Sequence, residues 1–453
     1  MSTAYALTHP SGGAVHVPAH ERVVLPNGIT LLVVPSPEVP LISFHAVCRG
    51  GPLGDSRPGV ASLVAGLLDK GAGARNAFEF VDAVEGAGGS FTTITGTEAL
   101  SITGQFLARD QALMLELLSD AITRPRFEVA EFEKLRARRI ELIKATKDSD
   151  PAEVIGTYGR SMLFGSHPYG KPAGGSEASL ASITHQDVLD YYRAHIGADR
   201  LILVFAGDLD IAALKRDVAE RFGSWRKAGV TAAPVPEPAR ARGRRVLLVD
   251  SPDSAQTYFW IGNVGVNKQY PEHAALDLVN TLYGGCFTSM LNTALRIKSG
   301  LSYSARAGFT RTAAAGEFAI RSFTDTENTA TALDLSLQTL TRLKAEGVTA
   351  EMLDSARAYV LGQYPLNFET AADWAAALVE LEFYGLGPEY IDEYAAQLRG
   401  VTLPVARGVI DHAFPSVADL VIVLIGDAAK IRRIARRYGE LTEMALTKPS
   451  FSP

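Results

Sequence analysis

Short runs of apolar and β-branched residues open the chain and predict strands. They occupy residues 23–25, 29–34 and 41–47, and a Pro-Asn-Gly turn at residues 26–28 separates the first two. A further strand pair, rich in threonine and isoleucine, is predicted within residues 91–106. Strands therefore dominate the beginning of the chain.

Helical patterns follow these strands in blocks. Residues 59–68, 77–85, 109–122 and 128–147 have the spacing of helices, and the last stretch is long and strongly charged, which is typical of a helix face in water. Because blocks of helices follow the strands without strict alternation, the order favours an α+β fold.

The pattern recurs later in the chain. The apolar run LILVFAGD at residues 201–208 has a counterpart, LVIVLIGD, 219 positions further on. Thr184 and Thr402 both precede helical stretches and are 218 positions apart, and the sequence Leu-Phe-Gly at 163–165 is echoed after 220 positions by Phe-Tyr-Gly. Three echoes in chain order at nearly one offset predict a duplicated unit.

An exposed linker is predicted between the two units. Residues 231–245 contain three prolines and four arginines without apolar periodicity. We therefore expect a first half at 20–230, this linker at 231–245, and a second half at 246–440. Each half is expected to be α/β-roll-like, with helices packed on an antiparallel sheet.

Charge and composition exclude several classes of protein. The 453 residues include 44 Lys and Arg against 50 Asp and Glu, a formal net charge of −6, which disfavours a general nucleic-acid binder. No apolar run approaches the ~20 residues of a membrane helix. Two cysteines cannot form a disulfide framework. We expect neither nucleic acid nor membrane as a partner.

The first 19 residues lack the basic start and the apolar core of a secretory signal. This favours a cytoplasmic location, with a processed periplasmic protein as the alternative. The chain also has no P-loop, no Gly-x-Ser-x-Gly elbow and no Cys-x-x-Cys pair. Its nine histidines are scattered, so each is expected to be structural.

An ordered set of motifs nevertheless resembles the pitrilysin/insulinase-type zinc metallopeptidases. The resemblance runs from about residue 20 to residue 440, and it implies two related α+β halves that together form half of a clamshell. The motifs that carry it are Leu-Pro-Asn-Gly at 25–28, Arg-Gly-Gly at 49–51, Gly59 before an apolar helix, His-Pro-Tyr-Gly at 167–170, Ala-Gly-Asp at 206–208 and Gly-Leu-Ser-Tyr at 300–303.

The sequence departs from that family at the metal site. Active members carry H-x-x-E-H, in which two histidines bind zinc and the glutamate activates water. The matching positions here are Ser62, Ala65 and Gly66. The third ligand would fall near Ile143, and we assign no ligand role to the nearby Glu141. No metal is therefore expected in this chain.

A milder departure lies at the edge strand that binds substrate in the family. The Gly-Gly pair at residues 88–89 is followed by Ser-Phe-Thr-Thr, where the family pattern continues with Asn-Ala. Pairing through the backbone with an extended peptide would survive this change.

The resemblance extends to an arginine and a tyrosine seven residues apart, here Arg296 and Tyr303. In active members the equivalent pair faces the zinc, binds substrate carbonyls and helps to hold the oxyanion. From the residues alone, Arg296 is expected in the last turn of a helix at 291–298, which Gly300 ends, and Tyr303 near the start of a strand at 301–309. A helix-terminal cation and an ordinary strand aromatic are the alternative roles.

A chain without zinc ligands that keeps the Arg/Tyr pair resembles one subunit of bacterial heterodimeric peptidases. The resemblance implies a homologous zinc-motif partner, zinc in that partner only, a peptide substrate and no activity of this chain alone. The alternative is a non-catalytic scaffold or peptide-binding protein, since the family includes core subunits of respiratory complexes. An independent enzyme with an unrelated site is the weakest interpretation.

Overall fold

The computed structural model describes residues 15–453 and contains two six-stranded sheets. The prediction that residues 1–19 are not a secretory signal concerns mainly residues 1–14, which lie outside the described residues. The strands of the first half are β1 Glu21–Val24, β2 Thr30–Pro35, β3 Leu41–Arg49, β4 Gly71–Ala72, β5 Arg75–Asn76, β6 Ser90–Thr95, β7 Ala99–Leu107 and β8 Leu201–Gly207. Those of the second half are β9 Arg245–Asp250, β10 Gln256–Val264, β11 Ala305–Thr310, β12 Glu317–Asp325, β13 Val421–Gly426 and β14 Glu440–Ala445.

Helices pack on both sheets. In the first half they are α1 Val60–Leu67, α2 Ala77–Gly86, α3 Gln111–Thr123, α4 Val129–Ser149, α5 Pro151–Phe164, α6 Glu177–Ser182, α7 His185–His195 and α8 Ile211–Phe222. In the second half they are α9 His273–Asn280, α10 Met290–Asn292, α11 Thr329–Glu346, α12 Ala350–Gln363, α13 Ala371–Tyr384, α14 Glu389–Asp392, α15 Tyr394–Gly400, α16 Leu403–Ala413 and α17 Ala428–Ala435.

The two sheets share one strand order, which is the structural form of the predicted duplication. The order is β1-β2-β8-β3-β7-β6 in the first and β14-β9-β13-β10-β12-β11 in the second. Only the outermost strands differ, since β1 is antiparallel to β2 whereas β14 is parallel to β9.

The α+β class is confirmed, but the sheets are mixed where purely antiparallel sheets were expected. The pairs β2·β8 and β9·β13 are parallel. The physical reason is that β8 and β13 each enter their sheet after a long helical crossover, which permits a parallel pairing that a short hairpin cannot make.

The repeated sequence echoes mark equivalent local structures. Thr184 and Thr402 are the N-caps of α7 and α16, and their side chains accept the N–H of Asp187 and Val405. A hydroxyl at the N-cap satisfies one of the free amides of the first turn, which stabilises the helix start. The same side chain therefore starts the same helix in both halves.

Each half lends one helix to the sheet of the other. Helix α5 lies on β10 and β13, and α13 lies on β8 and β3. The strand β8 is therefore buried on both faces: Leu203 and Phe205 face the first half's own helices, while Ile202 and Val204 pack against α13. This two-sided burial explains the continuous apolar runs of the repeat.

A buried carboxylate connects the halves at the hairpin between β6 and β7. Glu98 is 6% exposed and accepts hydrogen bonds from the Tyr169 hydroxyl at 2.5 Å and the Tyr384 hydroxyl at 3.1 Å. It also accepts the N–H of Ala313, in the turn between β11 and β12. One acidic side chain of the first half thus bonds to two groups of the second, in addition to the packing of α5 and α13 across the halves.

Residues 223–244 contain no helix or strand. The division of the chain at residues 231–245 stays a prediction. Each half packs one helix, α5 or α13, on the sheet of the other half, so the two halves are interdependent. Within residues 15–453, no helix combines the length and apolar character needed to span a membrane.

Candidate functional site

The helix that would carry a zinc motif is α1, and it is held tightly at its start. Gly59 adopts a φ of +102° just before the helix. The Asp55 carboxylate accepts the N–H groups of Gly59 and Ala61, each at 2.8 Å. Burial raises the pKa of Asp55 to about 7. All residues of α1 except Gly66 are buried.

The guanidinium of Arg139, on α4, lies against α1 where the zinc ligands would be. It donates a hydrogen bond to the Ser62 hydroxyl. A Cβ atom at Gly66 would lie 2.6 Å from Arg139 Nη2, so a larger residue there would force the end of the Arg139 side chain to shift. Ala65, between these positions, is buried. Burial lowers the pKa of the Arg139 guanidinium.

These residues do not fit a zinc ion. Ser62, Ala65 and Gly66 supply one hydroxyl and neither imidazole nor carboxylate, and a guanidinium already places a positive charge there. Glu141 is exposed and pairs with Lys144 at 2.8 Å. Among residues 15–453, no three His, Cys, Asp or Glu side chains form a group that could hold a metal.

Arg296 and Tyr303 do come together. The Cζ atom of Arg296 lies 4.4 Å from the centroid of the Tyr303 ring and 4.8 Å from that of Phe287. The guanidinium is thus held between two aromatic rings, a favourable arrangement for a cation. The sequence analysis did not predict a role for Phe287. The signal that could have identified it is an aromatic residue directly after Gly-Gly-Cys, in a segment whose polar residues do not predict a buried core position.

Local hydrogen bonds position this pair. A segment with π-helical bonding, Thr293–Lys298, carries Arg296, and Gly300 follows at a φ of +65°. The N–H groups of Leu301 and Ser302 both donate to the carbonyl of Leu295. The chain therefore turns back sharply, which brings Tyr303 over Arg296.

The strand predicted at 301–309 begins later, at Ala305, so Tyr303 precedes it. The Ser302 hydroxyl donates to the carbonyl of Ser304 at 2.9 Å and accepts its N–H. Such local bonds satisfy the backbone without a neighbouring strand, which delays the strand.

The donors of the pair face outward. Tyr303 is 74% exposed and Phe287 is 60% exposed. Within residues 15–453, the Arg296 side chain has no hydrogen-bond acceptor and no acidic partner. Ser62 and Arg139 both lie in the first half and are hydrogen-bonded to each other. No hydrogen bond or ion pair in that part of the chain joins the two sets of residues.

Each sheet also ends in an unpaired edge. Strand β6 pairs only with β7, and β11 pairs only with β12, within the part of the chain that the structure describes. Along β6 exposed and half-buried residues alternate, and Ile94 is 56% exposed. Tyr303 lies two residues before β11. An unpaired edge can accept an extended peptide through backbone hydrogen bonds.

Comparisons with known proteins agree with these observations. A family model described as "Insulinase (Peptidase family M16)" matches residues 54–172, and one described as "Peptidase M16 inactive domain" matches residues 182–360. Together they cover about two thirds of the chain.

Similar proteins have contrasting names. The chain is 24% identical over 436 residues to a "non-peptidase homolog YmxG" of Helicobacter pylori, covering 94% of this chain and 96% of that one. It is 25% identical over 397 residues to an uncharacterised zinc protease of Mycobacterium tuberculosis, covering 87% and 90%.

Solved structures share the fold. A peptidase M16 inactive domain from Pseudomonas fluorescens superposes with a TM-score of 0.83 at 22% identity, covering 90% of this chain and 98% of that one. A protease from Helicobacter pylori gives 0.81 at 18% identity, covering 90% and 99%.

Proposed function

The chain belongs to the insulinase family of peptidases (M16) as a member of the inactive type without the zinc motif, and from this we propose that it is the substrate-binding subunit of a heterodimeric zinc peptidase. Its partner is a homologous subunit that carries the zinc motif. This chain contributes Arg296 and Tyr303 to the active site of that partner and degrades no peptide alone.

One observation carries this proposal: Arg296 lies over two aromatic rings, while its side-chain N–H groups have no acceptor among residues 15–453. A surface arginine normally moves freely or pairs with an acid, and ordering its long side chain costs entropy. Stacking on Phe287 and Tyr303 limits that motion in advance. A group held in place but without a polar partner in the described part of the chain is suited to a ligand or a second subunit.

The chemistry of the pair fits peptide hydrolysis. The Arg296 guanidinium offers several N–H donors in a fixed plane and would bind a substrate carbonyl. The Tyr303 hydroxyl would donate a hydrogen bond to the negative charge that develops on the scissile carbonyl oxygen. The partner's zinc would supply the activated water. The unpaired edges of β6 and β11 support binding of an extended peptide backbone.

The test is peptide hydrolysis by this chain alone, by its zinc-motif partner alone, and by the purified pair. We expect activity only in the pair. Tyr303→Phe removes one donor to the oxyanion and should lower kcat about 100-fold, while assembly of the pair is unchanged. Arg296→Lys keeps the charge but loses the planar donors, and we expect mainly a higher KM.

Matched controls are available in the same half. Tyr359 is 50% exposed in α12, and Arg437 lies over the ring of Tyr438 with its Cζ 5.8 Å from the centroid. Tyr359→Phe and Arg437→Lys should leave the rate of the pair unchanged. Zinc-dependent hydrolysis by this chain alone that survives Tyr303→Phe would contradict the proposal.

A non-catalytic scaffold or peptide-binding protein of the same fold is the second candidate. It is favoured by the match, over nearly the whole chain, to a relative named as a non-peptidase homolog. In that case a pair would form and the substitutions at Arg296 and Tyr303 would leave its rate unchanged.

A further inference from the structure

We propose that Arg139, with Ser62 and Gly66, forms a binding site for a carboxylate at the position where active family members hold zinc. These three residues are called the Arg139 site. The carboxylate is the C-terminal group of an extended peptide that lies along β6. The metal position is thus occupied by a fixed organic cation that binds and does not catalyse.

The Arg139 site is shaped around the guanidinium. Arg139 is half-buried on α4, and Ser62 of α1 accepts one of its N–H groups. The missing side chain at Gly66 provides the space, since a Cβ there would lie 2.6 Å from Nη2 of Arg139 and 3.0 Å from Cδ2 of Leu135. A side chain fitted into two helices in this way is positioned before any ligand arrives.

The charge of Arg139 is not neutralised by the protein. Ser62 is its only hydrogen-bond acceptor among residues 15–453, and no acidic group in that part of the chain lies within ion-pair distance. Neighbouring charges on α4 differ in this respect: Arg136 pairs with Glu133 and donates to the carbonyl of Ile183. A desolvated cation without a counter-charge favours an anionic ligand.

A carboxylate is the anion that this geometry fits. Nη1 of Arg139 donates to Ser62, which leaves the Nε and Nη2 edge of the planar guanidinium, and a pair of parallel N–H donors of this kind matches the two oxygens of a carboxylate. Helix α1 packs against the unpaired edge strand β6, so a peptide paired with β6 runs beside the Arg139 site. This inference rests on the peptide-binding part of the proposed function and needs neither the partner subunit nor its metal.

The experiment measures binding of labelled peptides to the isolated full chain by fluorescence anisotropy. The probe is a short peptide of alternating valine and threonine with fluorescein at its N-terminus. One version ends in a free carboxylate, a second ends in an amide, and a third ends in an amide but carries one internal aspartate. We expect the free acid to bind about tenfold more tightly than the plain amide.

Arg139→Gln should remove this preference and bind both end groups equally. Arg138, one residue earlier on α4, is exposed and has no ion-pair partner in the described part of the chain, so Arg138→Gln is the matched control and should keep the preference. Ser62→Ala removes only the hydrogen bond that positions Arg139 and should reduce the preference a few-fold. Thermal unfolding verifies that each variant is folded.

Equal binding of the free acid and the plain amide by the unaltered chain, or an unchanged preference in Arg139→Gln, would overturn the inference. Tight binding of the internal aspartate peptide alone would also overturn it, because the carboxylate would then come from a side chain. Failure of the proposed heterodimer is a separate result, read from the rate of the pair and its dependence on Tyr303.

Discussion

Two arginines, one in each half, have opposite surroundings. Arg139, half-buried on α4, lies against α1, where burial lowers its pKa and the Ser62 hydroxyl accepts one of its N–H groups. Arg296 lies at the surface between the exposed rings of Phe287 and Tyr303. Both are fixed cations without an acidic partner among the described residues, but one is held by helix packing and the other by aromatic stacking.

This difference shows how the duplicated fold has diverged in its chemistry. In the first half, α1 carries Ser62, Ala65 and Gly66 where the family resemblance places a zinc motif, and Arg139 of α4 lies against Ser62 and Gly66. In the second half, Tyr303 and Phe287 are exposed, and the half-buried Arg296 lies over both of their rings. Both arginines keep N–H donors that suit carbonyl or carboxylate oxygens, which is the chemistry that the two proposals assign to them.

The largest expected effect tests whether the halves depend on each other. Glu98→Ala leaves the hydroxyls of Tyr169 and Tyr384 and the N–H of Ala313 without their acceptor. We expect a loss of about 3 kcal/mol or more in the free energy of unfolding, measured by chemical denaturation. Glu79→Ala on the exposed start of α2 is a control and should cost about 1 kcal/mol. If Glu98→Ala unfolds in two separate transitions, this contact couples the unfolding of the two halves. An unchanged free energy of unfolding would show that Glu98 does not stabilise the contact between them.

The enclosed arginine can be tested by a double-mutant cycle. Gly66→His places a side chain where Arg139 lies and should destabilise the protein by about 1–3 kcal/mol. Arg139→Ala in the same chain should relieve most of that cost, giving a coupling energy measurable by denaturation. If the changes in the free energy of unfolding caused by Gly66→His and Arg139→Ala simply add, the side chains at positions 66 and 139 do not occupy the same space.

The start of α1 predicts a dependence of stability on pH. Burial raises the pKa of Asp55 to about 7 in the folded chain, above its unfolded value of about 3.8. The folded state therefore binds the proton more tightly, and this contribution to stability is lost as the pH rises through 7. Between pH 6 and pH 8 we expect the free energy of unfolding to fall by about 1 kcal/mol, and Asp55→Asn to lack that fall. If the free energy of unfolding changes equally with pH in the unaltered chain and in Asp55→Asn, Asp55 is not the source of the pH dependence.

The smallest effect on stability is expected at Phe287, the exposed ring beside Arg296. Phe287 is 60% exposed, so Phe287→Ala should change the free energy of unfolding by less than about 0.5 kcal/mol. Loss of one ring should loosen Arg296 and, in the proposed pair, raise KM with little change in kcat. A matched change at exposed Phe78 on α2 should alter neither quantity. If both variants behave alike, Phe287 does not position Arg296.

Sequence reasoning located most elements because they rest on local patterns. The Pro-Asn-Gly turn, the capping threonines 184 and 402, and the periodic helices are visible in neighbouring residues. The boundary of β11 was wrong because the hydroxyl of Ser302 satisfies the backbone locally. Phe287 was missed because an aromatic ring stacked on a cation at the surface leaves no periodic signal.

The sequence by itself determined the duplication, the α+β class and the absence of imidazole and carboxylate at residues 62, 65 and 66, since all three follow from residue identity and spacing along the chain. Only the tertiary structure decided that α5 and α13 are exchanged between the sheets, that Arg139 lies against Ser62 and Gly66, and that Arg296 lies over two aromatic rings. These features join residues far apart in sequence through close packing, and packing depends on three-dimensional shape that no local pattern encodes.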